Sequence, residues 1–89
     1  MSLNFSIEFG TSAVRDLKKL IKSNRGLAIR LSKLIDSLAA DPYQGKSLKG
    51  NLKGCYSLRF TDYRVIYTSY PTQRQVLIIR IGHRKEIYR

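Results

Sequence analysis

From Val76 to Ile81 the chain reads Val-Leu-Ile-Ile-Arg-Ile, almost continuously apolar and β-branched. Such a run suits a central strand buried on both faces. The rest of the chain must therefore supply neighbouring strands and a cover. Leu3 to Phe9 alternates, with Leu3, Phe5, Ile7 and Phe9 on one side and Asn4, Ser6 and Glu8 on the other, the pattern of a half-buried strand. Gly10 breaks it, and Thr11 or Ser12 is expected to cap a following helix. Val14, Leu17, Leu20 and Ile21 then recur at helical spacing, with Arg15, Asp16, Lys18, Lys19 and Lys22 on the wet face. Ser23-Asn24-Arg25-Gly26 marks a turn. A second helix carries Leu27, Leu31, Leu34, Ile35 and Leu38 as its stripe, and Ala39-Ala40-Asp41-Pro42 ends it, because proline disfavours helical geometry in the residue before it.

Tyr43 to Gly54 reads as a loop pinned by Leu48 and Leu52. Cys55 to Phe60 alternates again, Thr61-Asp62 is a tight connection, Tyr63 to Tyr70 is the next strand, and Pro71-Thr72-Gln73 turns the chain into the apolar run. Gly82 is expected to end that strand. The fold class is α+β, in the order strand–helix–helix–strand–strand–strand. An antiparallel sheet is packed by an N-terminal helical hairpin, since neither helix is apolar all round and both need a sheet to cover. With 89 residues there is room for one core, so residues 1–89 are read as a single domain.

Charge constrains the partner. The formal net charge is +11, with seven Lys/Arg against three Asp/Glu in residues 1–40 and ten against three in residues 41–89. Self-repulsion of this size opposes compactness unless a counter-ion binds, so a basic surface with no partner is the weaker reading. The excess is heaviest among the strands, where Arg59, Arg64, Arg80 and Arg84 recur and Asp62 and Glu86 are the only acidic residues from Cys55 to Arg89. Cations gathered on a small sheet call for an anion, and a phosphodiester backbone leads the candidates. The single cysteine, Cys55, has no internal disulfide partner and reads as a small buried residue of a protein in a reducing compartment. No apolar run is long enough to span a bilayer, and Met1 to Phe5 lacks the start of a signal peptide, so no membrane association and a cytoplasmic location are expected.

One histidine and one cysteine do not make a zinc site, so no metal and no cofactor are expected. No nucleophile elbow supports a Ser-His-Asp triad, and carboxylates are too scarce for glycosidase chemistry. What remains is a set of cations, one imidazole (His83) and several phenols. That set suits RNA cleavage. Attack of a 2′-hydroxyl on the adjacent phosphate adds negative charge that arginines stabilise, and histidine is well matched to moving the protons near neutral pH. Each residue also has a bland reading: Arg59 solvated, Arg64 paired with Asp62, Arg80 emerging at a sheet edge, His83 on the surface, Tyr88 packed on the sheet rim.

Leu48-Lys49-Gly50, Tyr56-Ser57-Leu58-Arg59, Asp62-Tyr63-Arg64-Val65-Ile66-Tyr67 and Ile81-Gly82-His83-Arg84 with Ile87-Tyr88 together resemble the RelE/ParE superfamily of toxins, on its RelE-like side. The resemblance covers essentially the whole chain. It implies a fold similar to small microbial ribonucleases. The implied activity is that of a type II toxin, an mRNA interferase (endoribonuclease) that works in the ribosome and inhibits translation. Its implied partners are the ribosome, mRNA and a cognate antitoxin. Carried onto this chain, the functional positions are Arg59, Arg64, Arg84 and Tyr88, the last stacking on a base. Ser57 and His83 stand where RelE has lysines, and His83 is taken to supply the acid–base function. Lys46, Lys49, Lys53, Ser57 and Arg80 are the expected RNA-binding surround. Two other readings stay open: a ParE-like inhibitor of DNA gyrase, and a weakened homologue that acts as a binding module.

Overall fold

The computed structural model describes residues 4–87. Strand β1 (Ser6–Phe9) leads into α1 (Thr11–Ser23) and α2 (Arg25–Asp36). A 3₁₀ turn at Ser37–Ala39 extends α2 towards a short strand β2 (Lys46–Ser47) and a second 3₁₀ turn at Gly50–Leu52. Strands β3 (Tyr56–Phe60), β4 (Tyr63–Tyr70) and β5 (Gln75–His83) follow, and the turn of helix α3 (Arg84–Ile87) closes the described chain. The expected order of elements is therefore present, with β2 added inside the stretch read as loop.

The five strands lie in the order β1–β5–β4–β3–β2. All seams are antiparallel except that of β1 with β5, which is parallel, from Ser6 opposite Gln75 to Phe9 opposite Ile78. The apolar run lies inside the sheet between β1 and β4, but β4 is the middle strand and β1 flanks the run only as far as Ile78. The run is fully buried on one face only: Val76 and Ile78 have no exposed surface, whereas Leu77 and Ile79 are half-buried. The reason is that both helices cover the same side. Leu31 and Ile35 of α2 and Leu38 of the 3₁₀ turn meet Leu58, Val65, Tyr67, Val76, Ile78 and Ile81 in one core. Burial of such side chains is the main stabilising term, about 1.5–3 kcal/mol each.

Local rules place the helices. Gly10, not Thr11 or Ser12, caps α1, and no side chain bonds to that helix start. Its N–H donates to the Ile78 carbonyl at 2.8 Å, and a Cβ there would lie 3.3 Å from the same oxygen, so the close approach to β5 selects glycine. Asn24 alone joins the two helices. Its N–H closes α1 on the Leu20 carbonyl, and its side chain accepts the Leu27 N–H at 3.1 Å to open α2. The stripe read from the sequence is rotated slightly: Ala13 and Leu20 of α1 are buried, while Val14 and Ile21 are exposed. Leu48 and Leu52 are half-buried outside the core, so the loop is not held by them. Hydrogen bonds hold it: the Gly45 N–H donates to the Tyr67 hydroxyl at 3.0 Å, the Leu48 N–H to the Cys55 carbonyl at 3.0 Å, and the Thr68 hydroxyl to the Gly54 carbonyl at 2.8 Å.

Strand β5 departs from regularity in two ways that shape its C-terminal end. Between Ile66/Tyr67 of β4 and Arg80/Ile78 of β5 the register shifts, and Ile79 is the extra residue. Strand β5 also runs through Gly82 to His83 rather than ending at the glycine. Gly82 leaves room for α3, since a Cβ there would come within 3.3 Å of Ile87 Cδ1.

Candidate functional site

The hairpin of β3 and β4 turns at Thr61-Asp62, with Thr61 in the left-handed region at φ 52°. Its register sets Phe60 opposite Tyr63, Arg59 opposite Arg64, and Leu58 opposite Val65. Alternation sends Leu58 and Val65 into the core, so Arg59 and Arg64 share the opposite, open face. Directly opposed residues hold their Cβ atoms about 5 Å apart, and like charges so placed repel. Among the described residues neither arginine has a carboxylate within ion-pair distance; the one ion pair is that of Arg80 with Asp16. Arg64 is half-buried and its Nη1 donates to the Tyr63 carbonyl at 3.1 Å; Arg59 is exposed. Across the next seam Arg64 faces Gly82, and the space over that glycine is taken by Ile87 of α3.

Arg84 begins α3, and its N–H donates to the Asp62 carbonyl at 2.7 Å. That bond ties the start of α3 to the same hairpin turn. Arg84 is exposed. Arg30 of α2, which the sequence reading did not single out, lies 5.2 Å over the Phe60 ring, on the helix side of the sheet and so across it from Arg59 and Arg64. No local pattern could have found it, because Arg30 and Phe60 meet only through the packing of α2 on the sheet.

The remaining expected residues divide. Lys46 stands opposite Ser57, on the open face next to the arginine row, and Ser57 is 9% exposed. Lys49 and Lys53 flank the second 3₁₀ turn and are exposed. Arg80 is engaged elsewhere. Its Nε donates to Asp16 at 2.8 Å, and the same carboxylate oxygen accepts the Ile81 N–H at 2.9 Å. Strand β1 pairs with β5 only as far as Ile78, so Asp16 of α1 caps the bare edge beyond it. Asp16 raises Arg80 further above its ordinary range, first through this hydrogen bond and then through its charge.

His83 does not join Arg59 and Arg64. It lies opposite Tyr63, on the helix side of the sheet, with the two rings edge-to-face at 5.7 Å. Its Nδ1 accepts the Lys85 N–H at 3.2 Å, which leaves Nε2 as the nitrogen free to exchange a proton. Together with Asp16, Lys19, Arg80 and Glu86 it lines a cleft between α1 and α3. Tyr88 lies outside the described residues.

The model of a family described as the ParE toxin of type II toxin–antitoxin systems matches residues 7–88. The chain belongs to the RelE/ParE superfamily of type II toxins. The toxin is 36% identical over 86 residues to toxin RelG of Mycobacterium tuberculosis, spanning 96% of this chain and 97% of that one. It is 33% identical over 79 residues to toxin YoeB of Streptomyces coelicolor, spanning 83% and 92%. Among solved structures, the RelBE2 toxin–antitoxin complex of Mycobacterium tuberculosis contains a chain with a TM-score of 0.83 and 28% identity, covering 97% of this toxin and 98% of that chain. Among the described residues of the toxin no helix is long and apolar enough to cross a membrane.

Proposed function

We propose that this toxin is a ribosome-dependent mRNA endonuclease that acts in the cytoplasm and is held in check by a cognate antitoxin. The observation that carries this reading is the Arg59–Arg64 pair: two cations directly opposed on an open sheet face, with no carboxylate to neutralise them among the described residues. Such a pair opposes folding and gains its stabilisation only when an anion arrives. A phosphodiester fits, because guanidinium groups bind phosphate oxygens in bidentate fashion. The 2′-hydroxyl attacks the adjacent phosphorus, a 2′,3′-cyclic phosphate forms, and the 5′-oxygen leaves with a proton. Negative charge builds on the non-bridging oxygens as this happens. Arg59 and Arg64 stabilise it, and Arg84, tethered to Asp62, adds a third cation from the end of β5.

The part given to His83 is separable from that of the arginines. Its free Nε2 is available for proton transfer only if bound RNA wraps the end of the sheet from the arginine face to the Tyr63 side. Lys49 and Lys53 add to the field that draws RNA to the open face. The relatives with known structures include toxins in complex with antitoxins, which supports a partner of that kind for this chain. An acidic partner segment laid over Arg59 and Arg64 would relieve their repulsion and block RNA together.

Primer extension on cellular mRNA after brief induction tests the reading. Codon-phased cuts that vanish in the Arg59→Ala/Arg64→Ala double variant are expected. A DNA-damage response with intact mRNA would overturn it in favour of a gyrase inhibitor, the reading that the ParE family match keeps in view. Neither effect would mark the chain as a binding module.

A further inference from the structure

Strand β2 is only two residues long, yet its position is tightly fixed. A Cβ on Gly45 would lie 2.7 Å from the Tyr67 hydroxyl and 3.0 Å from the Ser57 carbonyl oxygen, so the chain passes here through a gap that admits only glycine. The Gly45 N–H grips the Tyr67 hydroxyl at 3.0 Å, and Tyr67 has no exposed surface. The next residue, Lys46, is thereby delivered to a set place, opposite Ser57. Ser57 and Arg59 point to the same face of β3, about 7 Å apart along the strand. As the cross-strand partner of Ser57, Lys46 shares the face of β3 that carries Arg59. Lys46 is exposed, and no carboxylate lies within ion-pair distance of it among the described residues. A lysine on a bare edge strand also serves to deter pairing with another chain, but that duty needs no fixed register.

We propose that Lys46 is a substrate-binding residue of the open face, whose ammonium reaches over Ser57 to the RNA phosphate held by Arg59 and Arg64. The inference rests on the RNA-cleaving function proposed for the arginine pair. It makes β2 part of the site rather than a connector. It also makes positions 46 and 57, a direct cross-strand pair, two doors to one space, so a lysine at either serves.

The test is the single-turnover cleavage rate of purified toxin on ribosomes programmed with mRNA. Lys46→Ala is expected to cut about tenfold more slowly at unchanged melting temperature, and Lys46→Arg to keep the rate within about threefold. In Lys46→Ala/Ser57→Lys the charge returns from the other strand, and recovery to within about threefold of wild type is expected. Wild-type cleavage by Lys46→Ala beside an inactive Arg59→Ala would overturn the inference alone and leave Lys46 an edge guard. A slow Lys46→Ala that neither Lys46→Arg nor Ser57→Lys corrects would overturn the shared space. Full cleavage by Arg59→Ala and Arg64→Ala would bring down the RNA reading itself, a pattern distinct from either.

Discussion

Arg64 and Val65 are neighbours in β4, and they live under opposite rules. Val65 has no exposed surface and packs with Leu58, Tyr67 and Ile81 beneath the helical hairpin. Arg64, one residue away and on the other side, is set against another arginine. The covered face gains from every neighbour it has. The open face loses from its nearest one. One sheet thus separates the part of the molecule that holds the fold from the part that waits for an anion, and an alternation of two residues is enough to do it.

Substitutions on each face should break or sharpen that contrast. On the covered face, Ile78→Ala removes a central side chain with no exposed surface and is expected to cost about 2–5 kcal/mol in urea unfolding. Its cleavage per folded molecule should be unchanged, and a loss of intrinsic activity would show that the faces are not independent. On the open face, Arg64→Ala is expected to lower cleavage about 100-fold while stability holds or rises by a few tenths of a kcal/mol, as the repulsion with Arg59 is lifted. A loss of about 2 kcal/mol instead would make Arg64 a structural residue. The smallest effect belongs to Tyr67, which joins the two regimes. Tyr67→Phe loses the hydrogen bond from Gly45, about 1 kcal/mol near neutral pH. Burial raises the Tyr67 pKa above the ordinary 10.0, while the Gly45 bond pulls the other way. The unfolded chain therefore gives up this proton first, and the stability from the neutral buried phenol is present below about pH 10 and is lost as pH rises through the folded value. Chemical denaturation from pH 9 to 11 should show the wild type losing more stability than Tyr67→Phe. Parallel declines would count against a buried neutral phenol.

How much of this could be read from the chain depends on how local each cause is. Leu20, Leu31 and Ile35 betray their helices because the period of an amphipathic helix is written in adjacent residues. The alternation of Tyr56, Leu58 and Phe60 assigns Arg59 to the far face for the same reason, and the hairpin at Thr61-Asp62 then fixes its partner. The misses share a different cause. Two residues, Lys46 and Ser47, are too few to show a period. The extra residue at Ile79 shifts the phase of β5, so counting from Val76 cannot give the side taken by His83. Arg80 looks like a stray cation in an apolar strand until Asp16, 64 positions earlier, is brought beside it. The composition of the run from Val76 to Ile81 marks it as a strand inside the sheet, but nothing in it says that both helices cover the same side or that β1 stops short at Ile78.

The seam between β1 and β5 joins Ser6 to Gln75, the first described strand to the last. During synthesis the opening segment has no seat in the sheet until the closing one has left the exit tunnel, and a contact that distant in sequence is slow to form. A prematurely terminated product lacking β5 forfeits both outer and inner strands at once. The cell that makes this toxin is thus exposed to it only after β5 has been translated.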